Sequence, residues 1–519
     1  MLYSQSSYDE VPTTIVIPAL PLHKKIEYTF STARSPFVTA SLLRRIQKRL
    51  YIALAHWVYR WFGATVYSED HNSILYQLSP ESRALLSWLV DKKLVESWWF
   101  AGSVPGYPKT KVLIIKPALL EDPGGNKYQL TGANGVGTGS TFQEASLSAL
   151  GEYIERLASS SYWWEHTNIV RSVYRAGADQ IDPRTLVSID STQVVGDDGA
   201  DRFVADFAVT KSAISWQPSI DLVSGLQRYV PAAACYIFSR GGMVEDPYFH
   251  EVSSNGVAAH TNYYEACTRA VLEYIERDRM LRAWYHGRVG TRISLESVAD
   301  VFPDAQQIVS AQDIMTETYL IDATDDVSIP VVFGVRIDAR AEARAVHFTA
   351  AADLDYNEAV RKSLKELIRF SNSNYHLDSN NTCPSTVTEM QAKANSLDGR
   401  GELWAHQEMI EHIRWFVSGP ERTLSEVLAT KQGQHAPELT YAERYAFLQK
   451  VFREHDLNMY LVNLSNTISR HAGLTVVRSL TPDLIPMFFG EQYKPEAHPR
   501  LNPVQNGCEK LNDIPHPFI

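Results

Sequence analysis

The sequence predicts an α/β (α+β) fold built from duplicated sheet-and-helix units, and three features lead there. The string Glu-Tyr-Ile-Glu-Arg at Glu152 to Arg156 recurs at Glu273 to Arg277, an offset of 121 residues. At the same offset Asn134-Gly135-Val136 falls on Asn255-Gly256-Val257, Glu144-Ala145 on Glu265-Ala266, Ala149 on Ala270 and Trp163 on Trp284. A weaker third copy follows in Asn357-Glu358-Ala359 and Glu366-Leu367-Ile368-Arg369, where Glu358 and Glu366 keep the spacing of Glu265 and Glu273. A period this long is too coarse for a solenoid and marks a supersecondary unit repeated inside one fold.

Taken in order, the opening forty residues read as irregular, broken by Pro12, Pro18, Pro21 and Pro36. Leu43, Ile46, Leu50, Ala53, Trp57 and Trp61 then recur at helical steps, with Arg44, Arg45, Lys48 and Arg49 on other faces. A stripe of this kind docks on the protein's own core, or else on a membrane or partner peptide. Ser73 to Gln77 is a short strand, and Ser79-Pro80-Glu81 starts a helix over Ser82 to Val95 with Ser79 as cap. Residues 1–110 therefore form a small N-terminal module, and residues 111–519 a larger unit.

The larger unit opens with a strand at Val112 to Ile115. Asn134 to Ser140 is a Gly-rich approach whose N–H groups would face an anion at the N-terminus of the first acidic helix. No Gly-Lys-Ser/Thr phosphate loop is present. Further strands are expected at Ala213 to Trp216, Tyr229 to Ile237, Ile329 to Ile337, Ala345 to Ala350, Met459 to Leu464 and Leu474 to Leu480. Gly196 to Gly199 reads as a loop and Asp378 to Thr386 as a polar linker, before a mostly helical stretch from Val387 to Glu454. The final segment carries Pro515 and Pro517, which stiffen it and favour an extended backbone.

In the repeated helices, residues three and four apart share a face, so Glu144, Ser148, Glu152 and Glu155 form one stripe and Glu265, Arg269, Glu273 and Glu276 another. Carboxylates so placed repel one another unless something positive sits between them. Two such helices converging would suit a hard divalent cation, which takes oxygen ligands and, for magnesium, a few carboxylates plus phosphate oxygens. One copy alone would pass for a solvated, internally paired helix end; two copies in register shift the balance toward a site.

Composition narrows the alternatives. With 49 basic and 60 acidic residues the net charge is −11, which argues against nucleic acid as the default partner. The four cysteines, Cys235, Cys267, Cys383 and Cys508, lie far apart with no Cys-x-x-Cys, so neither a structural zinc site nor a disulfide framework is indicated. The polar, acidic start carries no secretory signal and no apolar run reaches 18 residues, so a cytoplasmic protein without a membrane span is expected.

These motifs resemble the YcaO family, ATP-dependent enzymes that activate backbone amides, over roughly Lys111 to Ile519. The family's Ser-x-x-x-Glu-x-x-Glu-Arg motif is matched by Ser148, Glu152, Glu155 and Arg156. Its second motif is matched by Ser254, Asn255, Gly256, Ala258, Glu265, Ala266, Glu273, Glu276, Arg277 and Asp278. Trp216-Gln217-Pro218 with Val230-Pro231-Ala232 is similar to its middle section, and the tail Pro515-His516-Pro517-Phe518-Ile519 to that of the azoline-forming cyclodehydratase branch. The chain departs from the family pattern at His260-Thr261, at Arg269, at Arg369 and in a tail with two prolines rather than three. The N-terminal module resembles, more weakly, the winged-helix domains that bind leader peptides.

What the resemblance implies is a peptide cyclodehydratase with ATP and Mg2+ as cofactors. A Cys, Ser or Thr side chain of a precursor peptide attacks the preceding amide carbonyl, the amide oxygen is phosphorylated, and an azoline remains. Glu152, Glu155, Glu273 and Glu276 would hold magnesium; Ser148, Arg156, Ser254, Asn255, Glu265 and Arg277 would complete the nucleotide site. Pro515, His516, Pro517 and Ile519 would act on the peptide, with His516 and the Ile519 carboxylate as bases. Implied partners are the precursor peptide, a leader-binding protein and a flavin-dependent dehydrogenase, with a homodimer as the expected assembly. The alternatives are a thioamide or amidine synthetase on the same fold and a non-catalytic peptide scaffold.

Overall fold

In a computed structural model, the described residues are 13–17, 26–30, 77–101, 111–121, 127–128, 135–160, 169–175, 179–186, 213–237, 253–340, 343–370, 382–430 and 439–518. The expected basic helix at Leu43 to Trp61, the loop at Gly196 to Gly199 and most of the 1–110 module lie outside them. The chain divides into two compact units, one of Met1–Leu119, Gln129–Tyr153 and Asn372–Asn374, the other of Leu120–Tyr128, Ile154–Ser371 and Tyr375–Ile519.

The first unit contains the pair β1 (Thr13–Ile17) and β2 (Ile26–Phe30) and a three-stranded antiparallel sheet. That sheet runs β3 (Val95–Ala101), β4 (Lys111–Pro117), β7 (Val136–Gly139). Helix α1 (Pro80–Asp91) starts where the sequence expects: the Ser79 side chain accepts from Ser82 N–H, and Pro80 occupies the first turn, where its missing donor costs nothing. The Gly-rich approach is a strand and not an anion-cradling loop. Gly137 and Gly139 press directly on helix α2 (Phe142–Ser160), where a Cβ on Gly137 would sit 2.0 Å from the Ala145 carbonyl oxygen. The Ser140 N–H that an anion would have used is given to Glu144 at 2.9 Å.

The second unit holds two large sheets. The first is ordered β10 (Gln227–Pro231), β9 (Ala213–Asp221), β17 (Tyr460–Asn463), β18 (Thr475–Leu480), β11 (Val257–His260), with β8 (Val170–Val173) also on β9. The second is ordered β15 (Val346–Ala352), β14 (Val331–Asp338), β13 (Thr316–Asp322), β12 (Thr291–Ile293), β16 (Glu421–Arg422). A two-stranded pair, β5 (Leu120–Glu121) and β6 (Lys127–Tyr128), completes the strands. The strand expected at Tyr229 to Ile237 stops at Pro231 and turns into a 3-10 helix at Ala232–Ala234, since a proline offers no N–H to carry the ladder on.

Helix α3 (Tyr263–Tyr285) is the axis of this unit, with 17 of its residues buried. A helix buried nearly all round belongs in a core rather than on a surface. It packs on β11, β18, β14 and β15, and on helix α9 (Tyr441–Glu454). Between it and the third-copy helix α5 (Tyr356–Phe370) come a short turn at Leu295–Ala299 and α4 (Pro303–Ala311). Beyond α5 lie α6 (Val387–Lys393), α7 (Leu397–Leu403) and α8 (Leu424–Thr430). Trp284 at the end of α3 meets Trp404, Trp415 and Phe416 with ring centroids 5.3–5.7 Å apart.

The duplication is visible in three dimensions. Each copy is a strand at the end of its sheet followed by a helix: β7 and α2, β11 and α3, β15 and α5. An end strand carries N–H groups that no neighbouring strand can take. Glu155, the second glutamate of the first motif, accepts Ala259 N–H of β11 at 3.2 Å. Glu276, its counterpart in the second, accepts Ala352 N–H of β15 at 3.1 Å. The repeated Glu-x-x-Glu thus fastens each copy's helix to the strand of the next.

Candidate active site

The acidic cluster on α3 is centred on a guanidinium. Arg277 reaches Glu276 at 2.7 Å and Glu273 at 3.4 Å, and the charge of Glu366 on α5 acts on both Glu276 and Arg277. Burial pushes the Glu276 carboxyl up to about 8; Arg277 opposes that rise, while Glu366 and Glu273 add to it. Glu366 is the third-copy equivalent of Glu273, and the signal that finds it is the conserved spacing from Glu358. Three carboxylates around one arginine leave an excess of negative charge that a divalent cation would relieve. All the donors are hard oxygens, the set that magnesium takes.

Other motif residues fall around this centre or away from it. Glu155 pairs with Arg156 on α2, repeating the Glu276–Arg277 pair. Ser148 and Glu152 lie on the portion of α2 that belongs to the first unit, Ser148 exposed and Glu152 half-buried. Ser254 is half-buried and Asn255 buried; both atoms of the Asn255 amide lack a partner among the described residues, which suits a polar ligand group. Gly256 takes a φ of +72°, and a Cβ there would lie 2.5 Å from Ser479 Oγ, so only glycine fits between β11 and β18.

Glu265 is engaged by cations rather than open to a nucleotide. It accepts from Arg269 at 2.8 Å and from Arg444 at 3.2 Å, and Arg444 continues to Asp353 at 3.3 Å. Asp278 takes a bidentate pair from Arg500 at 2.9 and 2.8 Å and also accepts Ile485 N–H, a structural role. Arg478 of β18, unremarkable in the sequence, is fully buried, donates to Ser253 O at 2.9 Å and faces the charges of Glu273 and Arg156.

The tail is held along its length. Gln391 Nε2 donates to Asp513 O at 2.9 Å, Trp284 Nε1 to Ile514 O at 2.7 Å, Trp404 Nε1 to Pro515 O at 3.2 Å and Arg400 Nη1 to His516 O at 3.0 Å. Four successive carbonyls therefore each have a side-chain donor. Pro515, His516, Pro517 and Phe518 are buried, and the Arg277 guanidinium lies 3.9 Å from the centroid of the Phe518 ring. Ile519 lies outside the described residues.

The expectation that His516 titrates near neutrality does not hold. Its side chain is completely buried, with Nε2 3.1 Å from Phe488 O, and burial, with Arg400 adding to it, holds its pKa well below the usual range. The imidazole stays neutral and braces the tail. An arginine beneath Phe518 connects the end of the tail to the carboxylate cluster.

The raised Glu276 carboxyl predicts a pH dependence. Between the ordinary carboxylate value and about 8 the folded protein holds a proton that the unfolded chain has released. Stability of the metal-free protein should therefore fall as pH rises through that window. Melting curves from pH 5.5 to 8 should show that slope, flattened in Glu276→Gln, and Mg2+ should restore more stability at the upper end than at the lower. An identical slope in the variant would show that Glu276 is not the group responsible.

A family model described as YcaO cyclodehydratase, ATP- and Mg2+-binding, matches residues 136–485. The likeness to solved structures is one of fold. A heterocyclase in complex with substrate and cofactor superposes with a TM-score of 0.59 at 18% identity, over 82% of this chain and 55% of that one. The heterocyclase TruD gives 0.49 at 18%, over 69% and 49%. YcaO from Methanopyrus kandleri bound with AMPPCP and Mg2+ gives 0.49 at 17%, over 78% and 91%. The chain spans about half the length of the first two of these. No curated protein matches it. Among the described residues no helix is long and apolar enough to cross a membrane.

Proposed function

The chain belongs to the YcaO family, and from that premise we propose that it is an ATP- and Mg2+-dependent cyclodehydratase converting Cys, Ser or Thr residues of a ribosomally made peptide to thiazolines or oxazolines. The observation that carries this reading is the tail: a buried Pro-His-Pro-Phe segment with four carbonyls held, ending on the arginine that organises Glu273, Glu276 and Glu366. The tail favours azoline formation over a thioamide or amidine product.

When bound, ATP supplies the phosphoryl group that makes an amide oxygen a leaving group, and the task left to the protein is positioning and charge. Glu273 and Glu152 are the leading magnesium ligands. Glu276 and Glu155, each engaged by a strand N–H and an arginine, complete the proposed set of magnesium ligands. Arg277 and Arg156 set the geometry of these carboxylates, and the unpaired Asn255 amide would meet a polar group of the nucleotide.

Toward the peptide, Ile519 is the proposed acting residue, while Pro515, His516 and Pro517 hold the tail in place. The precursor peptide, a leader-binding protein and a flavin-dependent dehydrogenase are the proposed partners, in a cytoplasmic homodimer. Co-expression with a candidate peptide tests the reading by mass spectrometry. A loss of about 18 Da per modified residue, one water, is expected. A gain of about 16 Da would instead mark exchange of oxygen for sulfur, and no mass change with no ATP turnover would mark a scaffold.

A further inference from the structure

Three side chains of different chemistry converge in the segments that also carry Gln391, Arg400 and Trp404. Cys383 Sγ, a ring nitrogen of His406 and a Glu408 carboxylate oxygen all lie within 4.8 Å of one another. Cys383 precedes α6, while His406 and Glu408 belong to the turn that follows α7. No sequence spacing announces them, because the two arms are 23 residues apart and meet only on folding.

His406 is 4% exposed, yet its Nε2 has no hydrogen-bond partner among the described residues. An unpaired ring nitrogen away from water is costly unless something binds it. The turn around it is rigid. Trp404 O accepts Val346 N–H at 3.1 Å, Ala405 O accepts Ala345 N–H at 3.2 Å, and Gln407 Nε2 donates to Arg340 O and Ala343 O at 2.9 and 3.2 Å. Ligands on a fixed backbone lose little freedom when they bind.

We infer that Cys383, His406 and Glu408 bind a zinc ion that ties the segment entering α6 to the turn after α7. Thiolate, imidazole and carboxylate are the donors zinc takes, with a thiolate disfavouring magnesium and calcium. Three protein ligands leave a fourth position for water, and the exposure of Glu408 gives solvent access to it. The ion's place suggests its effect. The segments it would join carry Gln391, Arg400 and Trp404, three of the four donors that hold the tail carbonyls. Zinc would stiffen the tail's cradle without taking part in the nucleotide site.

The test uses the full-length protein, stripped with a chelator, reloaded with Zn2+ or with Co2+ alone, and desalted. One zinc per chain is expected by elemental analysis, and the cobalt form should show a thiolate-to-cobalt charge-transfer band. Cys383→Ser should lose the band, and His406→Ala should lose the zinc. Because replacing a buried histidine can itself prevent folding, Glu408→Ala at an exposed position is the companion, with zinc affinity reduced at least about tenfold. Wild-type protein that keeps no zinc after loading, or a band that persists in Cys383→Ser, would overturn the assignment. Zinc retained equally by wild type and Glu408→Ala, with no band in the cobalt form, would place the ion at other carboxylates and overturn it too.

Discussion

Glu273→Gln is expected to abolish Mg2+-dependent ATP hydrolysis, by at least about a hundredfold, while leaving the melting temperature of the metal-free protein unchanged or higher. The two effects have one cause. Glu273 adds negative charge beside Glu276 and Glu366, a cost in the absence of metal and the source of affinity when metal is present. Replacing it with the isosteric amide keeps the volume and an acceptor for Arg277 but removes the charge that a cation would use. Glu152→Gln should lose turnover in the same way. Phosphate release measured with and without Mg2+ gives the answer, and hydrolysis at the parent rate in either variant would remove these glutamates from the metal site.

The repeat that exposes this cluster is legible because it is local: identical strings at one offset need no knowledge of how the chain packs. The spacing of Glu265 and Glu273, kept by Glu358 and Glu366, leads to the third copy, and the helix of each copy follows from periodicity, as the start of α1 follows from the Ser79 cap. What the sequence leaves dark depends on contacts between distant segments. Glu155 and Glu276 read as free members of an acidic stripe, yet each closes an N–H on an end strand more than seventy residues away. Glu265 reads the same way and is claimed by Arg444 of α9. The Gly-rich run looks like a phosphate cradle because glycine serves both purposes, opening a backbone to an anion or letting a strand lie flat on a helix; Ala145 and Ala149 decide for the second. Strand β13 escapes notice because its buried positions are interrupted by Glu317 and Tyr319, so no plain apolar run marks it.

Phe518→Ala is expected to slow azoline formation by tens of fold while nucleotide affinity stays within about threefold. The ring is the last described contact of the tail, stacked under Arg277 and beside Phe348 at 6.2 Å, so its loss frees the end of the chain that should meet the peptide. The variant will also be less stable, since emptying a buried phenylalanine site costs about 3–5 kcal/mol and the cation–π contact about 0.5–2 more. Phe518→Leu separates the two effects: it fills most of the volume but removes the quadrupole that Arg277 rests on. Deleting Pro515 to Ile519 is the larger lesion. It strips acceptors from Trp404 and Arg400, each buried donor left unsatisfied costing about 1–3 kcal/mol, so modification must be compared at a temperature where circular dichroism shows both proteins folded. If the tail orders or deprotonates the peptide, modification falls much further than ATP binding in all three variants, with Phe518→Leu the mildest. Equal modification rates for truncated and full-length protein with the same peptide and partner would exclude the tail from the reaction, and a parallel loss of nucleotide binding would assign it to the nucleotide site instead.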